Sequence, residues 1–462
     1  MQPEHYRFGG GGEGILLHPL VAAFTVIALI LIFFLPRKYV VVPLLFALFL
    51  TPKGQQIVLA GLHFNVFRIV LLAGLGRWLV KWRRAPLPGD FNSIDRVVAA
   101  CAVTVCVTFS LQWAETQAMV KAIGDLFDAL GSYFVFRAVI RDRQDLRRAI
   151  QVLAFLAIIM GAEMINEQRT GHNLFGDLGG TSSIPERRDG KIRSQAAFRH
   201  SIPAGAYGAT LIPLLVWLWT DKKSRKLVIL GVAGATAMAL TCHSSSDMGA
   251  YAAGVFALCL WPLRRQMRYI RYGIASTVIG LHLVMKGPVW SILEHINLTG
   301  SSESFHRYQL IDTFIRHFSD WWLLGTKNNG SWGWEMADTS NQYVTYGIAG
   351  GLLALSLFIA TISRAFGRLG TTRQRFDGNK AEEWIRWCLG CSLFVFVVVY
   401  IGIGLFDQLQ FSWYLLLAMI SMTVSAPMPA RRLSRRRPPP ESSHTAKFLS
   451  SADYDTAQLA SK

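Results

Sequence analysis

The sequence predicts an all-α fold, a polytopic membrane helix bundle of about 12–13 transmembrane helices with two long loops on one face. Three observations carry that prediction. Of the 462 residues, 52% are hydrophobic and only 16% charged, and the mean hydropathy is positive at +0.32. Apolar runs of about 20 residues, enough to cross a hydrocarbon core at ~1.5 Å rise per residue, recur along the chain. Between them Lys and Arg fall in short clusters. The net charge of +18 therefore reads as the positive-inside bias of a membrane protein, not as a surface for nucleic acid.

Residues 15 to 51 are almost continuously apolar apart from Pro36-Arg37-Lys38, too long for one span, and predict a helical hairpin. No small-residue cleavage pattern follows the first run, so it is expected to remain as a span. Further spans are expected over 56–80, 96–113, 120–139, 149–165, 202–220, 227–242, 249–263, 272–292, 342–363, 387–405 and 409–427. Threading these alternately places every short basic connection (37–38, 81–94, 137–148, 221–226, 264–271, 364–386) on one face, which the positive-inside rule makes cytoplasmic. The two polar inserts, 166–201 and 293–341, then share the outer face. Residues 1–430 read as one membrane domain, and 431–462, basic and Pro-rich (Arg435-Arg436-Arg437-Pro438-Pro439-Pro440), as a disordered cytoplasmic tail. Cys388 and Cys391 have CxxC spacing, but within a helix they read as two small core residues.

The outer face carries the chemistry. Arginines there run against the positive-inside bias, and a bound anion explains them: a guanidinium offers a flat fork of donors matched to phosphate oxygens and stays charged. Arg193 and Arg199 lie closest to the following span. The loop carboxylates Asp177, Glu186 and Asp189 are the alternative partners for these arginines, and for Arg187 and Arg188 above all. In the Ser-rich turn His243–Asp247, the serines read as helix caps, and His243 or Asp247 can reach a site between spans. In the second insert Arg307 and Arg316 flank Phe305, Leu310, Ile311, Phe314, Ile315 and Phe318, an amphipathic helical spacing suited to the membrane interface. Trp321, Trp322, Trp332 and Trp334 suit the headgroup zone, and Trp also stacks on sugar rings.

These residues form a pattern. Arg307 with Leu310 three residues on, then Asn341-Gln-Tyr343-Val344 running into Gly347-Ile-Ala-Gly350-Gly351-Leu352, resembles the signature of the bacterial O-antigen ligase/polymerase family. Arg193 to Gly208 is similar to that family's other arginine-led motif, and His243 to Gly249 sits where its Ser-Arg-Gly-Ala turn falls. The resemblance implies a fold like the C-type glycosyltransferases in the bacterial inner membrane, with both inserts periplasmic. It implies transfer of a glycan from a polyprenyl diphosphate carrier to a glycan or lipid acceptor, with no metal or cofactor, beside other polysaccharide-assembly proteins. Arg193, Arg307 and Arg199 would hold the diphosphate. Trp332, Trp334, Asn341 and Tyr343 become candidate glycan contacts. The family's His falls at Ser340, so the proton-accepting role is open between Ser340, Asp338, His317 and His306. Two other readings stand: a non-catalytic export or binding component of the same pathway, and a secondary transporter. The latter expects mid-span ionisable residues and internal repeats, of which the chain offers Arg68 and no repeat of fixed period.

Overall fold

The computed structural model describes residues 17–59, 62–81, 87–295 and 303–425. The Gly-rich arm before the first span, most of the Lys81–Arg84 connection, residues 296–302 of the second insert and the tail at 431–462 lie outside the described residues.

The described chain is an all-helical bundle of sixteen α-helices with two small β-hairpins. The apolar run at 15–51 is a helical hairpin as expected, α1 (Pro19–Phe34) and α2 (Val41–Leu50), turned at Pro36. The span expected over 56–80 needs correction. Gln56–Leu59 (β1) and Leu62–Asn65 (β2) pair as antiparallel strands, and the helix α3 (Val66–Lys81) begins only after them. The sequence contains the reason: Gln-Ile-Val-Leu and Leu-His-Phe-Asn are short runs rich in β-branched and aromatic residues, placed about Gly61.

There follow α4 (Ser93–Trp113), α5 (Thr116–Val139) and α6 (Arg143–Thr170). The first insert folds as β3 (Glu186–Arg188) and β4 (Lys191–Arg193) before α7 (Ser201–Leu218), α8 (Arg225–Thr241), α9 (Ser245–Cys259) and α10 (Met267–Val284). In the second insert come α11 (Ile292–His295), α12 (Glu303–Arg316) and α13 (Phe318–Trp321). Three long helices close the bundle: α14 (Gln342–Arg375), α15 (Lys380–Gly402) and α16 (Gln408–Ser425). By length and composition α4, α6, α7, α8, α14 and α15 are each long and apolar enough to cross a membrane, which makes this a multi-pass membrane protein in contact with lipid. The helix α10 has no buried residue, so its apolar side chains face outward all round.

Ion pairs mark one end of the bundle. Arg37 pairs with Asp145, Arg147 with Asp221, Arg143 with Glu382, Arg264 with Glu383, and Arg265 with Asp377. The basic connections therefore meet at a common end, as threading predicted. Both inserts lie at the other end, where Gly54 N donates to Gly180 O and Gln408 bridges the carbonyls of Thr51 and Ala197. Inside the bundle Arg68 forks onto both carboxylate oxygens of Asp128 at 2.9 Å, joining α3 to α5.

The α6–α8 crossing is built from small residues, the usual device where apolar solvent provides no drive for helix association. A Cβ on Gly234 would lie 2.3 Å from the carbonyl oxygen of Ala157, and one on Gly161 would lie 2.5 Å from that of Gly234. The obstacle is backbone, which no rotamer avoids. Gly234→Val is expected to cost about 3 kcal/mol, read as a lowered Tm in detergent, whereas Gly370→Ala, with open space around it, should leave Tm within a few degrees.

The second insert has a core of its own: Leu310, Phe314, Trp321, Met336 and Val344. Trp321, expected among the headgroup aromatics, is instead buried, its ring stacked at 3.9 Å on Phe314 and its Nε1 donating to the Phe314 carbonyl. The amphipathic stretch thus turns Leu310 and Phe314 inward and leaves Phe305 and Ile315 outside. A kink in α14 locks this unit to the bundle. At Gly351 the backbone is non-helical (φ 70°, ψ −169°), which frees the Ile348 carbonyl to accept from Thr326 N and Gln112 Nε2 and lets Leu352 N donate to Trp322 O.

Candidate functional site

The sheet of the first insert ends in the first important side chain. In the β3–β4 pairing Glu186 faces Arg193, and Arg193 Nη1 lies 3.5 Å from Glu186 Oε2. Arg193 is 4% exposed while the Glu186 carboxylate is 56% exposed, so the pair joins a buried cation to a carboxylate at the surface.

Arg193 reaches the turn between α8 and α9, its Nε donating to Cys242 O at 3.4 Å. The turn reverses the chain through His243, which adopts a left-handed φ of 47°, and α9 then starts behind Ser244 as N-cap. Ser244 Oγ bonds Ser246 Oγ at 2.9 Å, and Asp247 is fully buried in the first turn. Burial first and the Asp247 charge second push the Cys242 thiol well above its ordinary range, so the protonated Sγ donates to Asp247 Oδ2 at 3.4 Å.

The second insert approaches the same turn. Arg307 of α12, 7% exposed, donates through Nη2 to Ser246 Oγ at 3.4 Å. The end of α15 completes the junction at Gly402, where a Cβ would lie 2.7 Å from Ser246 Cβ and 3.4 Å from Arg307 Nε. Two buried arginines from separate inserts thus converge on the start of a fifteen-residue helix, whose first-turn amides and macrodipole add positive potential. This arrangement can hold an anion with several oxygens, such as a diphosphate.

His243 reports on that potential. Desolvation lowers its pKa below the ordinary 6.5, with the positive charges of Lys191 and Arg193 adding to the shift. With the folded value below the unfolded one, the unfolded chain binds more protons between the two, so stability falls as pH drops below about 6.5. Tm is expected to fall as pH is lowered through that window, and His243→Asn, which tolerates the left-handed backbone, should flatten the dependence.

The other residues singled out by the sequence bond elsewhere, Asn341 close behind Gly402. Arg199 is exposed beside His200, whose ring meets Phe406 edge-on at 5.9 Å. Asn341 is 2% exposed and is the N-cap of α14: its Oδ1 accepts from Tyr343 N and Val344 N, and its Nδ2 donates to Ile401 O. Tyr343 is half-buried, and its hydroxyl donates to Val397 O at 3.2 Å, inside the bundle. Both therefore hold helices together, Asn341 directly behind Gly402. His317 contacts Thr313 O through Nδ1 and stacks on Trp332 at 5.1 Å, and Trp332 Nε1 donates to Asp320. Trp334 is 82% exposed, Asp338 is exposed and Ser340 half-buried. No hydrogen bond or ion pair joins Asp338, Ser340 or His317 to Arg193 or Arg307. His306 is half-buried, and its Nε2 is buried with no hydrogen-bond partner.

Sequence reasoning placed Arg193 and Arg307 at a site and marked the turn that holds Ser246, but read that serine as a helix cap, and it missed Gly402, which no local motif marks. Among the described residues no group of three or more His, Cys, Asp or Glu is placed to hold a metal ion. The sequence matches no family model and no curated protein.

Proposed function

We propose that this membrane protein transfers or polymerises a glycan carried on a polyprenyl diphosphate, acting at the periplasmic face of a bacterial inner membrane as an O-antigen ligase/polymerase-like glycosyltransferase. The observation that carries the reading is the convergence of Arg193 and Arg307, both buried, on the α8–α9 turn, Arg193 at Cys242 O and Arg307 at Ser246 Oγ. In such a transfer the carrier diphosphate leaves as the acceptor hydroxyl attacks the sugar. Arginines and helix amides aimed at the leaving oxygens stabilise the charge that develops there. Trp332 and the exposed Trp334 offer aromatic faces for sugar rings near the bundle mouth.

A transfer also needs a proton acceptor. Of the candidate bases His306 has the best claim, because a neutral imidazole keeps one nitrogen free to accept and His306 Nε2 has no other bond. His317 is already tied to Thr313 and Trp332, and Asp338 faces solvent. The bonds that tie His317 to Thr313 and the solvent exposure of Asp338 favour a second reading, a non-catalytic component that binds or exports the lipid-linked glycan.

Deleting the protein in its native host tests the first reading. Lipid-linked oligosaccharide is expected to accumulate while mature surface polysaccharide disappears. Unchanged polymer and no accumulated intermediate would sink it. A complementing His306→Asn variant that accumulates the intermediate supports catalysis, and one that restores full polymer supports the binding or export reading.

A further inference from the structure

We infer that Glu167 and Gln168, in the last turn of α6, are positioning residues that aim Arg193 at the α8–α9 turn; the inference rests on the reading of Arg193 as a phosphate-holding group.

Two consecutive side chains of α6 grip the strand on both sides of Arg193. On one side Gln168 Nε2 lies within hydrogen-bond distance of Ile192 O at 2.7 Å, Ser194 Oγ at 2.8 Å and Thr241 O at 3.0 Å, its two N–H groups shared among them. Thr241 directly precedes Cys242, the residue whose carbonyl accepts from Arg193 Nε. One amide therefore spans both the strand that carries the arginine and the turn it addresses. Ser194 N closes the same circuit by donating to Thr241 O at 3.1 Å, and Ser194 Oγ donates to Met164 O of α6.

On the other side Glu167 uses both carboxylate oxygens on successive amides, Oε2 accepting from Gln195 N at 2.9 Å and Oε1 from Ala196 N at 2.6 Å. Ala196 sits at φ 49°, a left-handed backbone that costs a non-glycine residue energy and persists only where its surroundings over-determine it. Glu167 fixes its N–H, and Asn173 Nδ2 fixes its carbonyl at 2.9 Å. The Glu167 carboxyl is fully buried, and both of its oxygens accept from backbone amides of the turn that follows β4. Placing a buried carboxyl on two backbone amides just after Arg193 makes physical sense if the direction of that arginine matters.

The test is a double-mutant cycle on the full-length protein in detergent, with farnesyl diphosphate as the binding probe and farnesyl monophosphate as reference. Glu167→Gln keeps one acceptor oxygen and loses the other. It is expected to weaken diphosphate binding roughly 10-fold, within the ~10²-fold that a 1 Å misplacement can cost. In an Arg193→Ala background the same change should alter binding by less than about 2-fold, because the group it acts through is gone. Should Glu167→Gln not accumulate as folded protein, Gln168→Ala replaces it in the same cycle. An equal loss in both backgrounds overturns the inference while leaving the role of Arg193 intact. Arg193→Ala binding the diphosphate as tightly as the native protein overturns the phosphate-holding reading and the inference with it. Asn166→Ala, one residue earlier and bonded to Glu163 through its side chain, is expected to leave binding unchanged relative to the parent in either background.

Discussion

Arg307→Ala is expected to lower glycan transfer by about 10²–10³-fold, the effect of removing one preorganised donor from a developing anion. Arg193→Ala should do the same. Both side chains are buried at the α8–α9 turn, where a charge–phosphate contact is only weakly screened by water. The lysine variants separate charge from geometry. Lysine keeps the cation but not the planar fork, so Arg307→Lys should recover only part of the lost activity. The measurement is release of polyprenyl diphosphate from a lipid-linked glycan in membrane vesicles, beside Tm of each purified variant. Wild-type rates in both alanine variants would remove the anion site from the mechanism.

The largest effect on stability is expected at Gly351. Its φ of 70° and ψ of −169° belong to a region essentially reserved for glycine, and an added Cβ would lie 2.4 Å from Leu323 O. Strain of about 1–3 kcal/mol adds to a backbone clash of similar size, so Gly351→Ala should cost about 3 kcal/mol or more. The damage is directional. The kink exists so that Ile348 O and Leu352 N can bond Thr326 and Trp322, and straightening α14 would release the second insert. Limited proteolysis between residues 318 and 340 should accelerate sharply. Gly367→Ala, on the same helix with open space around it, is the matched control and should be neutral to slightly stabilising. Equal proteolysis of the two variants would refute the clamp.

Much of the bundle was legible because hydropathy and charge are local signals. The run at 15–51, broken by Pro36-Arg37-Lys38, could only be a hairpin, and clusters such as Arg264-Arg265 and Arg143 do meet at one end. Where one apolar stretch can serve two structures the signal failed, as at 56–65, whose residues suit a strand and a span equally. The kink at Gly351 was hidden for a related reason: in Gly350-Gly351 within an apolar run, nothing in composition separates a bend from close helix packing.

The site divides in the same way. Arg193 and Arg307 were visible as cations on the wrong face for their charge. Their meeting at Ser246 joins positions 193, 246, 307 and 402, and no pattern along the chain encodes a junction of that range. Asn341 carries a second signal beside the one first read from it: Asn at the start of an apolar helical run is a capping signature, and its Oδ1 accepts from Tyr343 N and Val344 N.

The Glu186–Arg193 pair gives the ligand-free protein an anion of its own. Before any substrate arrives this arginine already faces a carboxylate, one that stands at the surface and can swing away. Arrival of a diphosphate is then an exchange of one anion for another rather than the filling of an empty cationic hole. Exchange rewards valence. A singly charged ion such as chloride gains little by displacing a tethered carboxylate, whereas a diphosphate brings more charge and more acceptor oxygens than it expels. In the proposed function, a site built this way would stay quiet in the presence of simple salt and yield to a multivalent headgroup.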